Sequence, residues 1–183
     1  MKITRIVTTV FLLTTLIGLT ACVHNFPQQT SVNEGVLIIP HKADNQTEAT
    51  EFGYYYYLEY TPETSVKIKI MPNTSKDFFM IPNFPAGKYR ATHVVTVGIR
   101  DRRVNAYESR KIKRIRTIPF EIKPGEVTIL DNSFDVSKEG SASQWTQYRD
   151  IGPLFKEAKD KIIQKLSKFK NSQLWILPPL KKK

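Results

Sequence analysis

Cysteine is almost absent from this chain of 183 residues, which has a single one, Cys22. One cysteine cannot close an intrachain disulfide, so the stability of the fold has to come from packing. Histidine is scarce as well: His24, His41 and His93 are scattered, with no second ligand at metal-binding spacing. We therefore expect neither a disulfide framework nor a metal site, and we predict no cofactor.

The sequence also lacks a hydrophobic run long enough to span a bilayer. The longest, residues 6–19, has 14 residues and no charge. As a helix it would be about 21 Å long, whereas the hydrocarbon core of a membrane is about 30 Å thick. Lys2 and Arg5 precede this run and small residues follow it, which is typical of a secretory signal peptide. We therefore predict that residues 1–21 are a cleaved export signal.

This segment ends in Leu19-Thr20-Ala21-Cys22, with leucine three positions before the cysteine and a small residue directly before it. The ending resembles the lipobox of bacterial lipoproteins. The resemblance implies cleavage before Cys22, a lipid on its sulfur and an acylated amino terminus, which together would anchor the protein stably. Val23 stands where an Asp would imply retention in the inner membrane, so we expect a lipid-anchored, periplasm-facing protein of the outer membrane. The alternative is an ordinary cysteine in an ordinary signal region.

Acidic residues are too few to balance the basic ones. The chain has 28 Lys and Arg against 17 Asp and Glu, and 26 basic residues remain once Lys2 and Arg5 leave with the signal. Such a balance favours anionic partners, among them phospholipid head groups, lipopolysaccharide phosphates and acidic glycans. Nucleic acid is the partner that export disfavours most.

Catalytic arrangements are missing from the sequence too. No cysteine follows Cys22, and no Ser-His-Asp spacing or pair of carboxylates in a glycine-framed loop is visible. We predict that the protein has no catalytic residues and is not an enzyme.

What the sequence does contain is a series of short segments with a two-residue period. In the clearest one, Val66, Ile68 and Ile70 alternate with Lys67 and Lys69, which predicts a half-buried strand. Short strands bounded by proline and glycine turns predict a mainly β fold, a single antiparallel β-sandwich of about seven strands. Further strands are expected at residues 36–40, 53–60, 77–81, 89–100, 117–123 and 126–130.

Two of these strands have features of their own. Residues 53–60 read GYYYYLEY, and this run of tyrosines could pack in the core or form an aromatic platform for sugar rings or peptides. His93 falls on the more apolar face of its strand and is expected to be a hydrogen-bonded core residue. Pro119 predicts that residues 117–123 form an edge or bulged strand, because proline cannot donate to a sheet.

The segments divide the chain into four parts. Residues 1–21 are the expected signal, and residues 22–34 are polar and predict the lipidated cysteine with a flexible tether. Residues 35–150 are the predicted sandwich, in which 41–52 are expected to be a loop. Residues 151–183 are predicted to be a basic amphipathic helix with a tail.

Two phrases carry a resemblance to a known fold. Residues 84–90 read FPAGKYR, and residues 119–128 read PFEIKPGEVT. They resemble the prealbumin-like sandwich domains, which include carboxypeptidase-regulatory modules and several bacterial lipoproteins, over about residues 35–135. The resemblance implies a β-sandwich with a binding or structural role. The basic segment 100–116 and the C-terminal helix depart from that pattern.

Residues 100–116 are the most densely charged segment of the chain. Eight of these seventeen residues are Lys or Arg, opposed only by Asp101 and Glu108. The segment predicts an exposed loop or hairpin tip, which is either a solvated surface or an anion-binding patch, since guanidinium groups bind phosphate and carboxylate with two hydrogen bonds. The candidate anion-binding residues are Arg102, Arg103, Arg110, Lys111, Lys113, Arg114 and Arg116.

The last part of the chain predicts a helix of about 18 residues that begins at Pro153, because apolar residues recur there every three or four positions. Its apolar side could cover one sheet of the sandwich, or it could bind an anionic membrane or a partner protein. The candidate contact residues are Phe155, Lys159, Ile162, Lys165, Leu166 and Phe169.

Two functions remain after these exclusions. The leading hypothesis is a non-enzymatic, membrane-anchored envelope lipoprotein that binds an anionic envelope component or an envelope protein through its basic loop. The alternative is a structural or accessory subunit of an envelope assembly that uses the tyrosine strand and the C-terminal helix as protein contacts.

Overall fold

The computed structural model describes residues 25–47, 54–61, 67–71, 73–98, 110–141 and 145–180. The prediction of a mainly β fold with a C-terminal helix is confirmed. The elements, in chain order, are β1 (Glu34–Asn45), β2 (Tyr54–Thr61), β3 (Lys67–Ile70), β4 (Phe78–Pro85), β5 (Gly87–Gly98), β6 (Arg110–Ile122), β7 (Val127–Ile129), β8 (Asn132–Gly140), β9 (Trp145–Pro153), α1 (Lys156–Leu166) and a 3₁₀ helix, Ser172–Leu174.

The described strands form two sheets. The first has the order β4-β1-β8-β9, with β7 also paired to β1, and the second has the order β3-β2-β5-β6. Most pairs are antiparallel, as predicted, but β1 runs parallel to both β7 and β8. These two strands follow one another along β1, β7 beside Val36–Ile38 and β8 beside His41–Asn45. A sequence of short strands does not reveal such a pairing.

The main core lies between the two sheets. Leu37 and Ile39 of β1 point into it from the first sheet, and Ile68 and Ile70 of β3 come from the second. Ile68 and Ile70 are buried, as the alternation in the sequence predicted, whereas Val66 and the side chains of Lys67 and Lys69 lie outside the described part. Burying each of these side chains contributes roughly 1.5–3 kcal/mol. The other buried members are Phe84, Ala91, Ile118, Ile122, Leu130, Phe134 and Val136.

A second core lies on the opposite face of the first sheet. Val36 and Ile38 alternate with Leu37 and Ile39 along β1, so they point away from the sandwich and towards α1. They pack there with Phe26, Val127, Ile129, Ile162, Ile163, Leu166 and Trp175. The molecule therefore has three layers: the second sheet, the first sheet and a layer formed by α1 with the segments around it. Burial on both faces explains why β1 begins with an unbroken apolar run.

The strand prediction was incomplete in two places: β1 is longer than predicted, and β8 and β9 were not predicted. β1 continues past Pro40 to Asn45, because its neighbour changes from β7 to β8 at that point, so residues 41–45 are strand and not loop. The polar region after residue 131 forms β8 and most of β9, which were not predicted. Only alternate side chains of β8, including Phe134 and Val136, are buried, and the polar residues between them hid its two-residue period.

The helix is shorter than predicted. It spans 11 residues, Lys156–Leu166, because Pro153 is the last residue of β9 and Phe155 still has an extended backbone at the N-cap. Ile162 and Leu166 are buried against the first sheet, so the helix covers that sheet, which was one of the two expectations.

The predicted tether, residues 22–34, is part of the fold from Asn25 onward, which forms a bridge with Lys170. Phe26 is only 2% exposed, and its backbone N–H donates a 2.8 Å hydrogen bond to the carbonyl oxygen of Lys170. The indole Nε1–H of Trp175 donates a 2.8 Å hydrogen bond to the carbonyl oxygen of Pro27. The polar composition of the segment concealed this contact, because a single phenylalanine has no periodicity.

Both phrases with proline-glycine turns lie at changes of direction, as predicted. After Pro85 the chain crosses from the first sheet to the second, and the hydroxyl of Tyr89 donates a 2.7 Å hydrogen bond back to the carbonyl oxygen of Pro85. Gly125 has a φ of 69°, a left-handed conformation that glycine adopts without strain. Its N–H donates to Glu34 and its carbonyl oxygen accepts from Ile176, so this turn joins β1 to the C-terminal tail.

Candidate functional site

Residues 110–116 of the basic segment form part of a strand and not a loop. Residues 99–109, with Arg102 and Arg103, lie outside the described residues. Residues 110–122 form β6, where Arg110, Lys111 and Arg114 pair with Val97, Thr96 and His93 of β5, and Lys113 with Val94. The sequence did not predict this strand, because its hydrogen-bonding partners are in β5 and the composition of the basic segment does not indicate them.

β6 is the last strand of the second sheet in the described part of the chain, and it is bulged. Its register shifts between the pairs Ala91↔Ile118 and His93↔Arg114, so residues 115–117 face Thr92 alone. This confirms the edge or bulged strand that Pro119 predicted. A bulge bends its strand and redirects the side chains on it. The exposed Arg116 is on this bulge, and so the structure separates it from the regularly paired basic residues of β6.

A cleft of about 1240 Å³ opens beside this bulge. Residues 115–119 of β6 form one wall, and residues from β8 and β9 of the first sheet form the other. The cleft therefore lies along the side of the sandwich where β6 and β9 are the outermost strands of their sheets. Arg116 and Arg149 bring positive charge to it, and Asp131, Asp135 and Asp150 bring negative charge.

Two of the three acidic groups of the cleft already have partners. The Nζ of Lys159 lies 2.6 Å from Oδ1 of Asp131, and the hydroxyl of Ser133 donates a 2.6 Å hydrogen bond to Asp135. The cleft can therefore offer hydrogen bonds of both kinds to an elongated polar ligand. Arg116 and Arg149 line the cleft, and residues 110–114 precede its wall along β6.

The helix candidates are dispersed. Ile162 and Leu166 are in the second core, and the ring of Phe169 lies against Phe26, with 5.9 Å between ring centroids. Lys159 is paired with Asp131, and Lys165 with Asp77. Only Phe155, which is 73% exposed, is left as an apolar contact of this set. The apolar side of α1 is thus occupied by the protein's own sheet.

The tyrosine strand and Cys22 add little to the described site. β2 lies between β3 and β5, so its backbone is already paired on both sides. The side chains of its tyrosines and of His93 lie outside the described part, as does Cys22. The accessory-subunit alternative relied on the tyrosine strand and the helix. The apolar side of the helix packs against the first sheet of the protein itself.

His41 is a buried polar residue that sequence reasoning placed in a loop. Its Nδ1–H donates a 2.9 Å hydrogen bond to the carbonyl oxygen of Phe134, and its Nε2 accepts a 3.2 Å hydrogen bond from the N–H of Asn73. The ring packs 4.8 Å from that of Phe79. This arrangement requires a neutral imidazole, because Nε2 must keep its lone pair. Burial lowers the pKa of His41 from 6.5, against opposing effects of the Phe134 carbonyl and Asp135.

We expect His41 to make the stability of the protein depend on pH. Because the pKa of the folded state lies below that of the unfolded state, the unfolded chain binds more protons between the two values. The free energy of unfolding should therefore fall as the pH drops below 6.5 and through the lower folded pKa. Urea unfolding of the wild type and of His41→Gln between about pH 8 and about pH 5 tests this. Equal slopes for the two proteins would contradict it.

Within the described ranges, no group of three or more His, Cys, Asp or Glu residues is placed to hold a metal ion. None of the helices in the same ranges is long and apolar enough to cross a bilayer. No protein family, curated protein or solved structure matches this chain. The candidate surface is a basic, bulged strand, the last one described in its sheet, beside an open polar cleft.

Proposed function

We propose that the protein is a non-enzymatic envelope lipoprotein, anchored in the outer membrane through lipidated Cys22 and facing the periplasm. It binds an anionic envelope component, or an envelope protein, through the basic segment 100–116. The observation that carries this proposal is the position of residues 110–116 on β6, the last described strand of its sheet, beside an open cleft.

The composition of β6 supports an anionic ligand. Four of its first five residues, Arg110, Lys111, Lys113 and Arg114, are basic, and the exposed Arg116 follows on the bulge. Like charges this close repel one another, and bound phosphate or carboxylate groups would relieve that repulsion. The cleft beside them has room for the uncharged part of an extended ligand such as a phosphorylated or acidic glycan. Rigid strands hold such groups in place better than a loop does.

Reversing the charge of this strand should abolish most of the binding. In the variant, Lys111, Lys113, Arg114 and Arg116 are changed to Glu. We expect affinity for lipopolysaccharide or acidic glycan to fall at least about tenfold, because each reversal replaces attraction by repulsion. The remaining binding should depend less on salt than that of the wild type. The measurement is binding of envelope extract to the immobilised protein over a range of salt concentrations.

The matched control changes four exposed lysines elsewhere, Lys42, Lys76, Lys88 and Lys123, to Glu. The net charge of the two variants is identical, so a general charge effect would weaken both equally. Binding lost only by the β6 variant supports the proposal. Binding that neither the β6 reversal nor salt alters would refute it, and a protein recovered equally by both variants would point to another surface.

A further inference from the structure

The chain enters the folded domain through the layer that contains α1. Asn25 forms a parallel bridge with Lys170, and Phe26 is buried beside Phe169. Asn171 and Trp175 donate hydrogen bonds to the carbonyl oxygens of Phe26 and Pro27 at 3.5 and 2.8 Å. The point of entry is therefore fixed at the C-terminal end of α1.

This entry point is close to Cys22 along the chain. Three residues, Val23, His24 and Asn25, separate Cys22 from Phe26. Four residue steps span at most about 14 Å even when fully extended. If Cys22 carries acyl chains in a bilayer, the C-terminal end of α1 must lie in or next to the head groups. The domain has no long linker with which to stand away from the membrane.

The surface around the entry point is basic. Lys161, Lys168 and Lys170 are exposed, and none of them forms an ion pair with any residue in the described part of the chain. On a helical period, Lys161 lies on the side of α1 opposite the buried Ile162 and Leu166, and Lys168 follows in the turn after the helix. Anionic head groups attract such charges most strongly within about one Debye length, 8 Å at physiological salt.

Apolar side chains are exposed in the same layer. Leu174 is 52% exposed and Ile176 is 64% exposed, on either side of the buried Trp175. Ile176 is held at this position by its backbone, which pairs with Gly125 and Val127. Exposed lysines together with exposed apolar side chains are typical of a surface that lies in the interface of an anionic bilayer.

We propose that this layer is a membrane-contact surface, defined by Lys161, Lys168, Lys170, Leu174 and Ile176, that lies flat on the anionic phospholipids of the leaflet that holds Cys22. The inference rests on the proposed acylation of Cys22 for its location, but the surface itself has an affinity that can be measured without the lipid. The occupant is a phospholipid head-group surface, because the short connection leaves no room for a protein between the entry point and the bilayer.

The test uses the chain from residue 22 to 183 with Cys22→Ser, which keeps every described residue and carries no acyl chain. Its binding to phosphatidylcholine vesicles, with and without phosphatidylglycerol, is measured by sedimentation at low and high salt. We expect binding only to the anionic vesicles and weaker binding at high salt. Changing Lys168 and Lys170 to Glu should reduce the partition coefficient about 25-fold or more, since each lysine near such a surface contributes about fivefold.

The control variant changes Lys88 and Arg90 to Glu, which gives the same net charge on exposed residues of the second sheet. It should bind like the parent. Equal losses in the two variants, or no binding to anionic vesicles, would overturn the proposal, as would salt-independent binding to neutral vesicles. The mass of the mature full-length protein, read separately, reports whether Cys22 is acylated. The acylation of Cys22 and the binding of the contact surface to phospholipids are therefore tested by separate measurements.

Discussion

Replacing Phe26 with alanine is expected to lower the free energy of unfolding by about 3–5 kcal/mol, although the sequence places this residue in a polar tether. Phe26 is buried in the second core, with its ring 5.9 Å from that of Phe169, and its backbone is hydrogen-bonded to Lys170. Alanine would leave a cavity that this well-anchored segment cannot close. Urea unfolding followed by circular dichroism measures the loss.

Phe155→Ala is the matched control, because it removes the same ring from a side chain that is 73% exposed. Its effect should stay within about 0.5 kcal/mol. Comparable losses for the two variants would mean that residues 25–27 do not belong to the core. The unfolding midpoint of Phe26→Ala would then offer no support for a short connection between Cys22 and the domain.

Strands that bury one face could be predicted from the sequence, and strands that mix polar residues into that face could not. β3 could be predicted because Ile68 and Ile70 alternate with lysines in the sequence. β8 places Phe134 and Val136 in the same core, but the next buried position on that face is Lys138, and the positions between are Asp135 and Ser137. Its identity depends on pairing with β1 and β9, which are distant in the sequence.

The sequence predicted which residues make the site basic, but it did not predict the strand and the cleft to which they belong. The basic residues of 100–116 were recognised from charge alone, yet the strand they form from residue 110 onward depends on partners in β5. Arg149 and the three Asp residues of the cleft were missed, because they come from the connection after β7 and from β8 and β9. A charge cluster is visible in a sequence, whereas a cleft between two sheets requires their packing.

The layer order relates the two proposed surfaces to each other. The side chains of Val36 and Ile38 face α1, and those of Leu37 and Ile39 face the second sheet, so these two layers lie on opposite sides of β1. If the α1 layer lies on the bilayer, the second sheet is the layer farthest from it. β6, a strand of that sheet, would then lie on the side of the sandwich away from the anchoring leaflet, where it would meet ligands from the periplasm.

The largest effect is expected from Cys22→Ala, which, if Cys22 is acylated as proposed, should abolish that acylation and the anchoring of the protein in the outer membrane. The sulfur of Cys22 is the only thiol of the chain, so no other residue could take the lipid in its place. Metabolic labelling with a radioactive fatty acid should mark the wild type and leave Cys22→Ala unlabelled, while fractionation follows the protein itself.

Val23→Ala is the control for that experiment, since it changes the neighbouring residue but keeps the sulfur and the Leu19-Thr20-Ala21 sequence before it. It should be labelled and fractionate like the wild type. A wild type without label would instead support an ordinary cysteine in a signal region. In that case the domain would lose its anchor, and the contact surface of α1 would have to hold it on a membrane by charge and apolar contact alone. Such binding would be reversible and sensitive to salt. High-salt extraction of membranes would therefore separate the two states: it removes a protein held by charge and leaves an acylated one in place.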